Sequence, residues 1–353
     1  MQRRNFLKTI SASAALSTIT PINIFANSRI DGDKKTLDII KPKRLKVGDT
    51  IGLIAPGSLL SEDEFNESKK NLEDLGFKVV YTDNILARDG YLAGTDKQRA
   101  DDIHEMFSRK DVNAIMAARG GYGCTRILPM LDYNLIKNNP KILVGYSDVT
   151  ALLFGIFKET GLICFHGPVG ISTFNKFSVD YFTDVLIYPH DKLIMYNAHE
   201  TTSKAAYKPV TIRGGFAKGQ LVGGNLSLVS SVIGTPYDID TEGKIIFLEE
   251  VGEEPYRIDR MLTQMIESGK FNKAAGVALG VFLDCISKPK ESGINSSFSV
   301  LEVMYDRLFH FEIPVVYGMS FGHINNKFTI PFGINAELDT LAQTITLLEP
   351  AVI

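Results

Sequence analysis

The sequence predicts an α/β protein. Its first half forms a mostly parallel sheet with helices on both faces, and its second half forms a smaller, strand-rich α+β unit. Three observations carry that expectation. Short apolar runs alternate with amphipathic, helix-length segments from about residue 50 to 160. Several of those runs end in Gly, Ser or Pro, as strands do before a turn. From Phe328 to Leu348 the pattern changes to the every-other-residue alternation of antiparallel strands.

Composition sets the outer limits. The chain has 353 residues, which at roughly 150 residues per domain suggests two domains. Hydrophobic residues are 44% and charged residues 22%, which excludes wholesale disorder and a coiled coil. Lys plus Arg is 38 and Asp plus Glu is 41, so the net charge of −3 removes the electrostatic case for a nucleic-acid partner. Cys124, Cys164 and Cys285 are too few and too widely spaced for a disulfide framework or a zinc site, and are expected as buried free thiols.

The elements follow in order. Residues 1–30 read as a twin-arginine export signal: Arg3, Arg4 and Lys8 precede a weakly apolar stretch from Thr9 to Ala26, with no acid before Asp31. That stretch is too weak for a stable membrane span, and no later segment offers about 18 uninterrupted apolar residues. The periplasm is therefore the expected location, or the cytoplasm if the signal is unused. An N-terminal α/β domain is expected over 44–172. Thr50–Ala55 is a strand. Ser61 and Glu64 then pair as a capping box ahead of a helix that ends at Gly76. Val79–Tyr81 is the second strand. Thr95 and Gln98 open a second helix, with Ile103, Met106 and Phe107 inward. Ala114–Ala118 and Lys141–Gly145 are further strands, the latter leading to an apolar helix through Phe157. Periodicity weakens over 173–206, which is expected to connect to a C-terminal domain over 207–353. There, Ile245–Leu248, Gly276–Leu283 and Val315–Gly318 read as strands. Tyr256–Ser268 and Phe298–Phe309 read as helices.

Binding groups in parallel sheets gather at the carboxyl ends of strands. Two glycine-bearing corners fall there. In Gly145-Tyr146-Ser147-Asp148 a strand feeds a serine and then a helix, so the hydroxyl points off the sheet and the Asp148 N–H is free to hold an oxyanion. The spacing is not G-x-S-x-G, because Val149 holds the second place after Ser147. Helix capping by Ser147 or Asp148 is the competing explanation. Gly120-Gly121-Tyr122-Gly123 offers close backbone approach, without the features of a P-loop. A nucleophilic serine needs a base. His104, His190, His199 and His310 sit in helices or in the connector, whereas His166 and His323 each follow a strand, and spacing does not choose between them. Glu249, at the end of an apolar strand, is a carboxylate that needs a partner.

Six short motifs in order resemble the serine LD-carboxypeptidases, a family that includes muramoyltetrapeptide carboxypeptidases and microcin C self-immunity hydrolases. They are Ala118–Gly123, Gly145–Asp148, His166-Gly167-Pro168, Gly223–Leu226, Leu248-Glu249-Glu250 with Tyr256–Arg260, and Phe321-Gly322-His323. The resemblance runs from about Arg44 to Leu348. It implies a flavodoxin-like first domain, a β-rich second domain and a homodimer without metal or other cofactor. It also implies a triad of Ser147 nucleophile, His323 base and Glu249 orienter. Asp148 with Gly120 or Gly121 would form the oxyanion hole, and Arg119, His166 and Asn225 would touch a murein peptide. For Arg119 a structural ion pair is the favoured expectation over substrate binding. The activity implied is hydrolysis of the bond before the terminal D-alanine of a murein tetrapeptide. Hydrolysis of a toxic peptidyl-nucleotide is the alternative within the family, and an exported peptide-binding protein without turnover is the alternative outside it.

Overall fold

The computed structural model describes residues 37–198, 207–288 and 297–353. The export signal expected over 1–30 and His199 lie outside them. Short runs, buried on both faces in all but the second, form a first sheet: β1 (Thr50–Ile54), β2 (Lys78–Val80), β3 (Ala114–Ala117), β4 (Ile142–Gly145) and β5 (Phe165–His166). They run parallel in the order β5-β4-β3-β1-β2. Between them lie α1 (Glu62–Asp74), α2 (Asp96–Ser108), α3 (Cys124–Ile127), α4 (Tyr133–Asn138) and α5 (Thr150–Thr160). The capping boxes at Ser61/Glu64 and Thr95/Gln98 form as the sequence predicts. α5 runs one turn past Phe157, because its stop is Gly161, which takes the left-handed conformation at φ +77°. Cys124, Cys164 and Cys285 are buried free thiols.

The 173–206 stretch is more than a link. It holds α6 (Lys176–Leu186) and β6 (Leu193–Tyr196), the latter an edge strand of the second sheet. Next come β7 (Val210–Arg213), β8 (Phe216–Asn225), α7 (Leu226–Ser231), β9 (Ile245–Val251), α8 (Pro255–Glu267), β10 (Gly276–Leu283), α9 (Val300–Leu308) and β11 (Val315–Met319). The chain ends in β12 (Ile330–Pro331), β13 (Asn335–Asp339) and β14 (Thr344–Leu347). The second sheet has the order β6-β14-β13-β8-β9-β10-β11-β7. Its centre, β8 to β11, is parallel, and antiparallel strands flank it on both sides. The β13–β14 hairpin matches the alternation in the tail. β8 escaped the sequence reading because Lys218, Gly219 and Gln220 interrupt its apolar pattern. Among the described residues no helix is long and apolar enough to cross a membrane.

A late crossing of the chain ties the two sheets together. After β11 the chain leaves the second sheet, and β12 pairs antiparallel with β5 at the edge of the first, Ile330 opposite His166 and Pro331 opposite Phe165. Phe332 then donates its N–H to the Cys164 carbonyl at 2.8 Å. Its ring lies 5.0 Å from Phe157, 5.3 Å from Phe154 and 6.3 Å from Phe247, joining α5 to β9. Phe332 is fully buried. Phe332→Ala is expected to cost about 3–5 kcal/mol in urea unfolding, through lost burial and the cavity left between the sheets.

Candidate active site

The serine corner is built by strain and small residues. Ser147 adopts φ +63°, the left-handed region that costs a non-glycine residue about 1–2 kcal/mol. A short 3-10 turn, Ser147–Val149, leads from there into α5. The turn is tight enough that a Cβ on Gly145 would stand 2.6 Å from Val149 Cγ1. The glycine loop after β3 presses on this corner. A Cβ at Gly120 would lie 2.7 Å from Ser147 Cβ, 3.0 Å from its Oγ and 3.3 Å from the Asp148 nitrogen. Only hydrogen at Gly120 permits that approach. Gly121, at φ +113°, packs on Ser58 instead.

The Asp148 side chain serves the scaffold. It is buried and accepts the Cys124 N–H at 2.9 Å, which ties the glycine loop to the serine corner. Burial raises its pKa, and the Cys124 N–H pulls the other way. Arg99, on the inward face of α2, also braces the loops. Its Nη1 donates to the Pro56 carbonyl at 2.6 Å and the Gly123 carbonyl at 2.9 Å, and it pairs with Asp96. Sequence reasoning missed Arg99, although it sits four residues before Ile103 on the apolar face.

The second sheet delivers the carboxylate and the imidazole. Glu249, on β9, is wholly buried, and its Oε2 bonds His323 Nδ1 at 2.7 Å. Burial pushes the Glu249 carboxyl up, but His323 pulls it back to a net value below the usual range. Gly322, at φ +112°, allows the contact, since a Cβ there would stand 3.0 Å from Glu249 Oε2. With Nδ1 engaged, His323 is left with Nε2 as its free nitrogen. Its ring packs 4.8 Å from the ring of Tyr146, the neighbour of Ser147. The structure thus brings the Glu249–His323 pair against the tyrosine that precedes Ser147. No hydrogen bond joins Ser147 Oγ to His323 among the described residues. Such bonds are commonly loose before substrate binds.

The remaining sequence candidates divide. Arg119 is engaged with Glu64, Nη1 to Oε1 at 2.7 Å, which is the structural ion pair. Asn225 is buried behind the site, where it caps α7 and donates to Glu250 Oε1 at 2.9 Å. Glu250 also accepts the Ser227 N–H at 2.8 Å, so the pair anchors the end of β9 to the start of α7. Burial and then the Glu249 charge raise the Glu250 pKa. His166 is buried beside Glu249, among Tyr146, Phe247 and Phe321, with both ring nitrogens unpartnered. Burial drives its pKa down to about 4, so it is neutral. Lys327 is a further buried group that the sequence reading passed over. Its Nζ stands 4.4 Å from the centre of the Tyr146 ring.

Comparison with known proteins agrees with this architecture. Residues 51–167 match the LD-carboxypeptidase N-terminal domain, and residues 218–338 match the LD-carboxypeptidase C-terminal domain. A probable murein peptide carboxypeptidase of Bacillus subtilis is 38% identical over 311 residues, covering 87% of this chain and 94% of its own. A murein tetrapeptide carboxypeptidase of Pseudomonas aeruginosa is 31% identical over 298 residues, covering 82% of this chain and 92% of its own. The solved structure of MccF in complex with glutamyl sulfamoyl guanosine superposes with a TM-score of 0.81 at 26% identity, covering 89% of this chain and 99% of that one.

The neutral, buried His166 has a consequence for stability. Its folded pKa lies below the ordinary value of about 6.5, so the unfolded chain takes up the proton first. Stability is then full above about pH 6.5 and falls by about 3 kcal/mol as the pH drops to about 4. Urea unfolding across that window is expected to show a shallower decline for His166→Met than for the parent.

Proposed function

This chain belongs to the LD-carboxypeptidase family and is a carboxypeptidase, and we propose that it cleaves the L,D-amide bond before the terminal D-alanine of murein tetrapeptides, with Ser147, His323 and Glu249 as its triad. The observation that carries this reading is the buried 2.7 Å bond from His323 Nδ1 to Glu249. It holds the proton on Nδ1 and leaves Nε2 to serve as base.

In this mechanism His323 Nε2 takes the Ser147 proton as Oγ attacks the carbonyl carbon before D-alanine. The Asp148 N–H and a backbone N–H of the Gly120–Gly121 pair hold the oxyanion. Gly120 supports this role by its closeness to Ser147 and to the Asp148 nitrogen. The tetrahedral intermediate collapses, His323 gives its proton to the departing amine, and D-alanine leaves an acyl-Ser147 ester. Water, deprotonated by His323, then hydrolyses the ester. The left-handed Ser147 supports the nucleophile assignment, since strain of this kind concentrates at reacting residues.

A second reading, hydrolysis of a peptidyl-nucleotide, draws support from the likeness to MccF. The exposed Tyr91 and Tyr122, with ring centres 5.7 Å apart beside the glycine loop, offer an aromatic surface for a base. We also read the protein as an exported homodimer that acts in the periplasm. Arg3, Arg4 and the weakly apolar stretch after them support export, and the family resemblance supports the dimer.

Ser147→Ala is expected to lower D-alanine release from murein tetrapeptide by about 10⁴-fold or more with unchanged unfolding behaviour. Product mass spectrometry measures it, and parent-like release by the variant would remove Ser147 from the mechanism. For export, replacing both Arg3 and Arg4 with Lys is expected to move the chain from the periplasmic to the cytoplasmic fraction of a Gram-negative host. Unchanged fractionation would refute the twin-arginine route.

A further inference from the structure

Lys327 lies four residues after His323 on the crossing segment and is only 5% exposed. A lysine is seldom so buried unless its charge answers another. Five groups surround it, each from a different part of the fold. Its Nζ stands 4.4 Å from the Tyr146 ring centre and 3.4 Å from Ser172 Oγ. Its backbone N–H donates to Ser178 Oγ of α6 at 3.0 Å. Glu249 on β9 and His166 on β5 feel its charge. Among the described residues Lys327 forms no direct ion pair with Glu249, so it acts on that carboxylate through its field.

Charge balance shows what it does there. Glu249 is an anion wholly removed from water. His166 is neutral, and a resting base must be neutral as well. The buried ammonium of Lys327 is then the cation that answers Glu249. We propose that Lys327 is a positioning residue for His323: packed on the Tyr146 ring that also carries His323, it fixes the imidazole's platform and holds down the imidazole's affinity for a proton. This rests on the hydrolase reading above.

The sign follows from Coulomb's law. Glu249 draws a proton onto His323, and a nearby ammonium opposes that second positive charge. Burial lowers the Lys327 pKa to about 8, against the pull of Glu249. The ammonium therefore discharges on the alkaline side, and its effect on His323 is lost as the pH rises through that value.

The test is the titration of His323, followed by NMR on the full chain with labelled histidine and assigned with His323→Gln, alongside D-alanine release. Lys327→Met is expected to raise the His323 pKa by about half a pH unit or more. It should lower kcat about threefold at neutral pH with KM within about twofold, as expected of a residue that acts through His323. Lys327→Arg keeps the charge and should leave the His323 titration near that of the parent. An unmoved His323 titration in Lys327→Met overturns the proposal, as does equal loss of kcat in both variants with an unchanged pH profile. If Lys327→Met does not fold, the parent decides: its His323 signals should show a second inflection near pH 8, and a single inflection overturns the proposal. A parent that shows both inflections yet releases no D-alanine would sink the hydrolase reading and leave the charge coupling intact.

Discussion

A carboxylate wholly out of water organises this molecule. Burying Glu249 costs several kcal/mol unless the charge is answered. Part of the answer is the 2.7 Å hydrogen bond to His323. For that bond to form, the loop after β11 must come down on the end of β9, which requires Gly322 in a conformation that other residues resist. It also requires the chain to continue across to β5, so the crossing segment is a consequence of the same contact. A surface carboxylate could have been solvated anywhere, but this one selects a single arrangement of two sheets.

The serine corner is the complementary half of the design. It stores backbone strain at Ser147, and the strain persists because the neighbours leave no room to relax. Gly145 and Gly120 close the space around it, while Asp148 and Arg99 tie the adjoining loops together. The polar groups nearest the chemistry are thus mostly braces. Asn225 and Glu250 do the same beneath β9, where they join strand to helix. Rigid support is what a hydrolase of this kind needs, since its rate depends on donors fixed in advance around the developing charge.

Much of the first sheet was legible in the sequence. Ala114–Ala117 and Ile142–Gly145 are short and wholly apolar, and their local signal agrees with their burial. The capping boxes were equally plain, because both partners lie within one helical turn. β8 was not legible, because polar residues and glycines break its alternation, and β6 is a run of only four residues that pairing with distant β14 makes regular. Lys327 was invisible for a related reason. A lysine beside Phe328 reads as a solvated loop charge, and nothing local says that the loop is buried.

The sequence by itself determined the alternation of strands and helices, the serine at a strand-to-helix corner and the residue types needed around it. These are short-range properties, set by the periodicity of side chains and the freedom of glycine. Only the tertiary structure decided which histidine meets Glu249, and that Arg119 pairs with Glu64 and Asn225 with Glu250. Those choices depend on contacts between residues far apart in the chain, where burial sets the cost of every unpaired charge.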